Sequence, residues 1–204
     1  MIKNVVFDFG NVLVSFSPEY ISEPFVNSPA DKNLLAEVLF DRLYWDRLDE
    51  GTISDAETVS LAKKRLPERL HQAANDAYYN WVYRLPEIEG MFELVKAIKK
   101  KYGVKLFLLS NISEYFTRFK DNFPVLSEMD GCVFSALIGK VKPSAEIFEH
   151  LLATYNINGE ETLFIDDSEK NLKGAEKLNI KGYLFDGDAK KLSLYLDRIL
   201  SKIE

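Results

Sequence analysis

Residues 3–8 read KNVVFD, a short apolar run that ends at an acidic residue, Asp8. Four further runs rich in Val, Ile, Leu and Phe follow along the chain, at residues 104–109, 132–134, 162–165 and 182–185. Apolar residues in these runs are nearly continuous and do not alternate with polar ones, which is typical of strands buried on both faces. The run at residues 3–8 therefore predicts a buried β-strand, and the other four predict its neighbours in one sheet.

Segments with helical periodicity separate the later runs. Each has apolar residues along one face: Ile88, Met91, Phe92, Val95 and Ile98 in the first, Ile147, Phe148, Leu151 and Leu152 in the second, and Leu192, Tyr195, Leu196, Ile199 and Leu200 in the last. Strands that alternate with helices at this spacing form βαβ units, in which the strands are parallel. The sequence therefore predicts an α/β fold, with a doubly wound, Rossmann-like parallel sheet of about five strands.

The alternation is interrupted between the first and second predicted strands. Residues 16–85 show helical patterning and no strand signal, over a stretch of about 70 residues. We expect them to form an all-helical cap domain, inserted into a core domain built from residues 1–15 and 86–204. Four aromatic residues crowd the end of the insert, and we expect them in its core, with a stacking wall for a sugar or ring substrate as the alternative: Tyr78, Tyr79, Trp81 and Tyr83.

The composition argues against several classes of protein. The 204 residues include 26 basic and 32 acidic side chains, a formal net charge of −6, whereas nucleic-acid-binding proteins usually carry a clustered basic surface. No window approaches 18 uninterrupted apolar residues, so we expect neither a membrane span nor a signal peptide. The single cysteine, Cys132, cannot form an internal disulfide, which favours a reducing compartment. We therefore expect a cytoplasmic protein with no nucleic-acid or membrane partner.

Residues whose side chains can react or bind a ligand follow four of the predicted strands. The carboxyl ends of parallel strands meet at one edge of a doubly wound sheet, where ligands bind. Helix capping explains any one of these residues, but it does not explain their recurrence at successive strand ends. In chain order they are Asp8 with Asn11, Ser110 with Asn111, Lys142, and the pair Asp166 and Asp167 with Asn171.

Four segments carry a resemblance to a known family. VVFDFGNVLV at residues 5–14, LLSN at 108–111, VKPSAEIF at 141–148 and FIDDSEKN at 164–171 resemble the four motifs of the haloacid dehalogenase-like hydrolase superfamily. The likeness extends over the whole chain, including a helical cap between the first two motifs. The Asp-x-Gly-Asn first motif is similar to that of a phosphatase branch, which includes a bacterial α-D-glucose-1-phosphate phosphatase.

The resemblance implies a phosphatase in which Asp8 is the catalytic nucleophile and forms a phospho-aspartate. It also implies Mg²⁺ as the cofactor, with three protein ligands: the carboxylates of Asp8 and Asp167 and the backbone carbonyl of Gly10. Asp166 and Asn171 would lie just outside these ligands. The residue types agree with this assignment, since two adjacent carboxylates in a half-buried site require a nearby cation.

The remaining site residues are expected to bind the phosphate group. The Lys142 ammonium would balance the charge of the nucleophile and of the phosphoryl oxygens, as the second catalytic residue. Ser110, Asn111 and Asn11 would contribute hydrogen bonds to the phosphate. We expect the substrate to be a small phosphorylated metabolite, such as a sugar phosphate, because a cap would enclose the site.

Gly10 departs from the commonest pattern of the family. Most phosphatases of this kind carry a second aspartate at this position, which protonates the leaving group and deprotonates the attacking water. Glycine has no side chain for either step. Asn11 or a residue of the cap could position the water instead, and the sequence does not distinguish between them.

Two other functions stay open at this point. A 2-haloacid dehalogenase would use Asp8 to attack carbon without a metal, but the acidic pair in FIDDSEKN is poorly suited to a metal-free site. A non-catalytic phosphate-binding protein would explain Gly10, although Asp8, Lys142 and Asp167 are all present. The sequence favours a Mg²⁺-dependent phosphatase over both.

Overall fold

Five parallel strands form a single sheet in the computed structural model, which describes residues 1–201. In chain order the strands are β1 (Asn4–Phe7), β2 (Lys105–Ser110), β3 (Gly131–Phe134), β4 (Thr162–Asp166) and β5 (Lys181–Leu184). Their order across the sheet is β3-β2-β1-β4-β5, and every neighbouring pair is parallel. Each strand lies within one residue of its expected bounds, and the predicted α/β fold is confirmed.

Helices account for most of the remaining chain. The α-helices of the described residues are α1 (Pro18–Ser22), α2 (Pro29–Leu39), α3 (Arg42–Asp49), α4 (Asp55–Arg65), α5 (His71–Asn80), α6 (Met91–Tyr102), α7 (Glu114–Thr117), α8 (Ser135–Ile138), α9 (Ala145–Tyr155), α10 (Glu169–Glu176) and α11 (Ala189–Leu200). Short 3₁₀ helices span Glu23–Phe25, Glu68–Leu70, Trp81–Tyr83, Lys120–Asn122, Pro124–Glu128 and Gly159–Glu161. Among the helices of residues 1–201, none combines the length and the apolar character that crossing a bilayer requires.

Helices cover both faces of the sheet, and the strands bury apolar side chains against them on each side. Val5 and Phe7 of β1 belong to one apolar cluster, together with Met91 of α6 and Leu192 of α11. Val6 points to the opposite face, since successive side chains of a strand alternate. It belongs to a second cluster, which contains apolar residues of α9 and α10. Helices therefore pack on the two faces, as the doubly wound arrangement requires.

Strand β5 differs from the expectation in one respect. Lys181, Gly182 and Leu184 are exposed, so this strand is not buried on both faces. The reason is its position at the edge of the sheet, where it pairs with β4 alone.

The strand order places a crevice above β1 and β4. From β1 the chain proceeds to β2 and β3 on one side, and then crosses to β4 on the other side of β1. The connections therefore diverge at the carboxyl ends of β1 and β4, the position where doubly wound sheets bind ligands. Phe7 is in register with Ile165, and the Asp8 N–H donates to the Ile165 carbonyl at 2.9 Å. Asp8 and Asp166 thus leave the sheet side by side.

The insert between β1 and β2 is helical from Pro18 to Tyr83. The chain leaves and re-enters the sheet at adjacent points, because Val14 and Glu87 form an antiparallel bridge and the Ser15 N–H donates to the Pro86 carbonyl at 2.8 Å. Apolar side chains of α2 to α5 belong to the same cluster as Val5 and Phe7. The insert therefore packs continuously with one side of the core and covers the carboxyl edge of the sheet.

Candidate active site

The carboxyl edge of the sheet opens into a cavity of about 570 Å³. Eight residues expected at the site line it: Asp8, Gly10, Asn11, Ser110, Asn111, Lys142, Asp167 and Asn171. The other expected residue, Asp166, is fully buried. The four strand ends that lie far apart along the chain are therefore brought together in space.

Lys142 lies between two carboxylates at the base of the cavity. Its Nζ is 2.8 Å from Asp8 Oδ1 and 2.8 Å from Asp166 Oδ2, and only 1% of its side chain is exposed. Burial by itself would lower the pKa of Lys142, but the charges of Asp8 and Asp166 and their hydrogen bonds raise the pKa above its usual value. The buried side chain of Lys142 therefore stays protonated, and positively charged, at neutral pH.

Asp166 is held in place by three donors. One carboxylate oxygen accepts hydrogen bonds from the Ser168 N–H at 2.8 Å and from Asn171 Nδ2 at 2.9 Å. The other accepts from Lys142 Nζ at 2.8 Å. The first two bonds follow from local structure, since Asp166 ends β4 and the next residues turn into α10, whereas Lys142 comes from a distant segment. With its oxygens engaged in this way, Asp166 orients Lys142 and Asn171.

Asn111 contacts the segment that carries Lys142. Its side-chain amide donates to the Lys142 carbonyl at 2.9 Å and accepts from the Lys142 N–H at 2.8 Å. The sequence placed Asn111 among the phosphate-binding residues, whereas its side chain is engaged with this loop. Asn111 lines the same cavity as Ser110, the buried last residue of β2.

Asp8 is nearly buried, and its surroundings favour the protonated form when no metal is bound. The pKa of Asp8 is raised to about 7, chiefly by burial and also by the charge of Asp166, against the lowering effect of Lys142. Asp167 is exposed to solvent, and burial of part of its carboxylate together with the Asp166 charge raises its pKa as well. Both shifts come mainly from burial, with the Asp166 charge adding to it and Lys142 opposing it.

Three carboxylates lie close enough together to hold a metal ion. Asp8, Asp166 and Asp167 each offer an oxygen atom, and these atoms lie within 4.8 Å of one another. A set of oxygen donors of this kind suits Mg²⁺, which binds one or two carboxylates and keeps several waters. Both oxygens of Asp166 are engaged by Lys142, Asn171 and the Ser168 N–H, whereas the ion pair and hydrogen bond of Asp8 both involve Oδ1, so Asp8 and Asp167 are the carboxylates available to a metal.

The turn after β1 shapes the cavity floor. Asn11 adopts the left-handed conformation with φ of 56°, which asparagine tolerates better than most residues. Its Oδ1 accepts from the Phe16 N–H at 3.1 Å, and its side chain also hydrogen-bonds to Asp167, which lowers the pKa of that carboxylate. The Cα of Gly10 faces open space, since a Cβ built there would meet no atom within 4 Å.

Helix α3 of the insert supplies cavity residues that the sequence did not assign to the site. Arg42, Trp45, Asp46 and Asp49 all line the cavity. They occupy positions i, i+3, i+4 and i+7 of the helix, so they share one face. The spacing is visible in the sequence, but the direction of this face depends on how α3 packs. Arg42 and Asp46 form an ion pair with a distance of 2.6 Å.

Aromatic rings form one wall of the cavity. Phe16, Trp45 and Trp81 line it, and the Trp45 ring centroid lies 5.6 Å from those of both other residues. The aromatic cluster expected in the core of the insert therefore has mixed roles. Tyr78 is fully buried, Trp81 borders both core and cavity, and Tyr83 is 59% exposed, contrary to expectation. Tyr83 ends the last 3₁₀ turn of the insert, where the chain returns to the surface.

Comparison with known proteins identifies relatives over nearly the whole chain. The family model for haloacid dehalogenase-like hydrolases matches residues 2–179, which include every residue that lines the cavity. The chain is 24% identical to D-ribitol-5-phosphate phosphatase of Bacteroides thetaiotaomicron over 194 residues, covering 90% of this chain and 91% of the relative. It is 23% identical to a sesquiterpene phosphatase of Aspergillus oryzae over 181 residues, covering 88% of each.

Solved structures share the fold. A HAD family enzyme from Bacteroides thetaiotaomicron, solved as a magnesium complex, matches with a TM-score of 0.71 and 25% sequence identity. The match covers 95% of this chain and 98% of that one. That protein therefore has the same architecture and binds the metal that the carboxylate cluster fits.

Proposed function

The chain belongs to the haloacid dehalogenase-like hydrolase family, and on that basis we propose that it is a Mg²⁺-dependent phosphatase of small phosphorylated metabolites. The reaction would proceed through a phospho-Asp8 intermediate. The two phosphatases similar to it over most of their length support an activity on phosphate monoesters. A cytoplasmic location and the division into a cap and a core domain belong to the same proposal.

The observation that carries the proposal is the charge balance around Lys142. The Lys142 ammonium contacts Asp8 and Asp166, while Asp167 brings a third carboxylate to within reach of the same metal. With all three carboxylates ionised, as a bound metal requires, three carboxylates and one ammonium leave two negative charges uncompensated. A divalent cation neutralises them, and Mg²⁺ fits the oxygen donors. Such a site is suited to phosphoryl transfer, in which catalysis is mostly positioning and charge stabilisation.

Each site residue has a proposed role. Asp8 attacks the phosphorus atom, and Lys142 stabilises the charge on the phosphoryl oxygens. Ser110 and the main chain around Asn111 and Asn11 hydrogen-bond to the phosphate. Mg²⁺ would be held by Asp8, Asp167 and the Gly10 carbonyl, and when bound it supplies Lewis-acid stabilisation of the phosphoryl oxygens. Asp166 and Asn171 orient the residues that touch the substrate.

The cavity supports a small substrate. Its volume of about 570 Å³, beneath a helical insert, suits a metabolite and not a polymer. Its walls combine the aromatic rings of Phe16, Trp45 and Trp81 with the polar face of α3. The related phosphatases are named for a sugar-alcohol phosphate in one case and for a sesquiterpene in the other, so the leaving group differs within the family.

The alternatives agree less well with the site. A haloacid carries a carboxylate, which Asp167 would repel from a metal-free cavity. A non-catalytic phosphate-binding protein would use the Lys142 ammonium, but it would have no need of the Asp8 carboxylate beside it, which repels a phosphate group.

Release of inorganic phosphate tests the proposal. Purified protein should release phosphate from members of a panel of sugar, polyol and alkyl phosphates with 5 mM Mg²⁺, and EDTA should abolish the release. Asp8→Asn should be inactive, because an amide cannot act as the nucleophile. The proposal fails if no phosphate ester is hydrolysed, if EDTA has no effect, or if 2-chloropropionate releases chloride without a metal.

A further inference from the structure

The proposed reaction needs a proton donor that the turn after β1 does not supply. When a phosphate ester of an ordinary alcohol is cleaved, the leaving oxygen departs as a poor alkoxide unless an acid protonates it. The same group, once deprotonated, can activate the water that hydrolyses the phospho-aspartate. Gly10 has no side chain, so the group has to come from elsewhere in the cavity.

Most of the acidic groups lining the cavity are already engaged. Asp8 is the proposed nucleophile, Asp167 the proposed metal ligand, and Asp46 is paired with Arg42 at 2.6 Å. Glu50 is half-buried and reaches solvent. Asp49 is the remaining carboxylate among the cavity-lining residues.

Asp49 has the burial and the unsatisfied oxygen atom expected of a group that binds a ligand. It lines the cavity while only 5% of the residue is exposed. Its Oδ1 atom is buried and has no hydrogen-bond partner in residues 1–201. Buried carboxylate oxygens are normally satisfied, so one without a partner requires an explanation. A hydroxyl, water or alkoxide in the cavity provides the missing partner.

The main chain around Asp49 is anchored to the core. Its carbonyl accepts a hydrogen bond from Ser135 Oγ at 2.6 Å, and Ser135 Oγ also accepts from the Ile112 N–H at 2.9 Å. The following turn packs equally closely, because a Cβ on Gly51 would lie 2.5 Å from the Ala136 carbonyl oxygen. The end of α3 is thereby fixed relative to the loop after β2 and to helix α8, which is the rigidity that a catalytic side chain needs.

We propose that Asp49 is the general acid and base of this site, supplied by the helical insert in place of a carboxylate at position 10. The proposal rests on the proposed phosphatase function and deepens it. It assigns a catalytic role to a residue outside the four sequence motifs.

The reaction has two steps, each with one proton transfer through Asp49. Asp8 Oδ attacks phosphorus, the bond from phosphorus to the ester oxygen breaks, and the Asp49 carboxylic acid gives its proton to that oxygen, so that a neutral alcohol leaves. The Asp49 carboxylate then takes a proton from water as the water oxygen attacks phosphorus. The bond from phosphorus to Asp8 breaks, inorganic phosphate forms, and both aspartates return to their starting states.

The charges facing Asp49 favour a protonated starting state. Burial raises the pKa of Asp49 to about 8, with Arg42 lowering it, Asp46 and Asp8 raising it and Lys142 lowering it. Helix α4, which packs against α3, carries Asp55, Glu57, Lys63, Lys64 and Arg65; of these, Asp55 accepts a hydrogen bond from Tyr78 and Arg65 is paired with Asp41. Helix α8 also contacts α3 and contains no ionisable side chain. Asp49 therefore holds a proton near neutral pH, as the first step requires.

The test compares leaving groups in Asp49→Asn. An alkyl phosphate needs the acid, whereas p-nitrophenyl phosphate releases a phenolate that departs without it. We expect kcat/KM for the alkyl phosphate to fall by about 10²- to 10³-fold and kcat/KM for the aryl phosphate to fall by less than about 10-fold. Slower hydrolysis of the intermediate should also produce a burst of p-nitrophenol in the variant. Glu50→Gln is the matched control and should not change the ratio between the two substrates.

A rescue variant separates chemistry from folding. Position 10 is open enough for a side chain, so combining Gly10→Asp with Asp49→Asn should restore alkyl phosphate hydrolysis by at least about tenfold relative to Asp49→Asn alone. Equal losses on both substrates, or a selective loss in Glu50→Gln, would overturn the assignment of Asp49. Wild-type protein that hydrolyses neither substrate would instead refute the phosphatase function, so the two failures are distinguishable. A thermal unfolding midpoint within a few degrees of wild type shows that the variants are folded.

Discussion

The side-chain amide of Asn111 forms two hydrogen bonds with the backbone of Lys142, at 2.9 Å to the carbonyl and 2.8 Å from the N–H. The residue that follows β2 therefore positions the loop that carries the only ammonium in contact with Asp8 among residues 1–201. The charge at the base of the cavity depends on this link, because Lys142 has no regular secondary structure of its own.

Asn111→Ala should remove the link between the end of β2 and the loop that carries Lys142. Loss of both hydrogen bonds should lower the free energy of unfolding by about 1–3 kcal/mol. It should also lower kcat, because Lys142 would no longer be held against Asp8. Urea denaturation and phosphate release measure the two effects, with the exposed Asn122→Ala as the control. Unchanged kcat in Asn111→Ala would contradict a positioning role.

Lys142→Met should destabilise the protein strongly at neutral pH. Removing the ammonium leaves the buried Asp8 and Asp166 carboxylates without their shared cation, a loss of about 3–5 kcal/mol in the free energy of unfolding. The cavity-lining but exposed Lys170→Met should change stability by less than about 0.5 kcal/mol. Urea denaturation in EDTA measures both. A Lys142→Met variant as stable as wild type would mean that the ion pairs contribute nothing.

Asp167→Asn should weaken the metal site selectively. Removing one of two carboxylates available to Mg²⁺ should raise the Mg²⁺ concentration needed for half-maximal activity by about tenfold or more. Asp46→Asn, in the same cavity but paired with Arg42, should leave the metal titration unchanged. Phosphate release measured from 0.01 to 50 mM Mg²⁺ distinguishes them. Identical titrations for Asp167→Asn and wild type would refute Asp167 as a ligand.

Deprotonation of Asp49 should lower the free energy of unfolding as the pH rises. Its pKa is raised from 3.8 to about 8 on folding, so between these pH values the folded state binds more protons than the unfolded state. The free energy of unfolding should therefore fall as the pH increases from about 4 to about 8, and level off above that. Asp49→Asn should show a shallower decline, measured by urea denaturation in EDTA at pH 5, 6, 7 and 8. Parallel curves for the two proteins would contradict a raised pKa.

Much of the core fold is predictable because its signals are local. Nearly continuous apolar runs reveal strands buried on both faces, and the structure contains all five within one residue of the expected bounds. Even β5 is found this way, although its position at the sheet edge leaves it exposed. The residues after β1, β2 and β4 are likewise readable, since a parallel sheet collects its carboxyl ends at one edge.

Other features depend on contacts between distant segments. The sequence indicates that Asn111 follows a strand, but its bonds to Lys142 require β2 and the loop after α8 to be adjacent. The exposure of Tyr83 and the cavity position of Trp81 depend in the same way on how the insert folds back on the core.

The sequence alone determines the strands, the helical insert and the carboxylate, hydroxyl and ammonium groups at successive strand ends. Those features depend on residue type and spacing, which act over a few residues. Only the tertiary structure decided that Lys142 bridges Asp8 and Asp166, and that one face of α3 directs Asp49 into the cavity. The direction of a helix face and the protonation of a buried carboxylate are set by packing and desolvation, which no local pattern contains. The acid proposed to act in place of a side chain at Gly10 therefore comes from the fold.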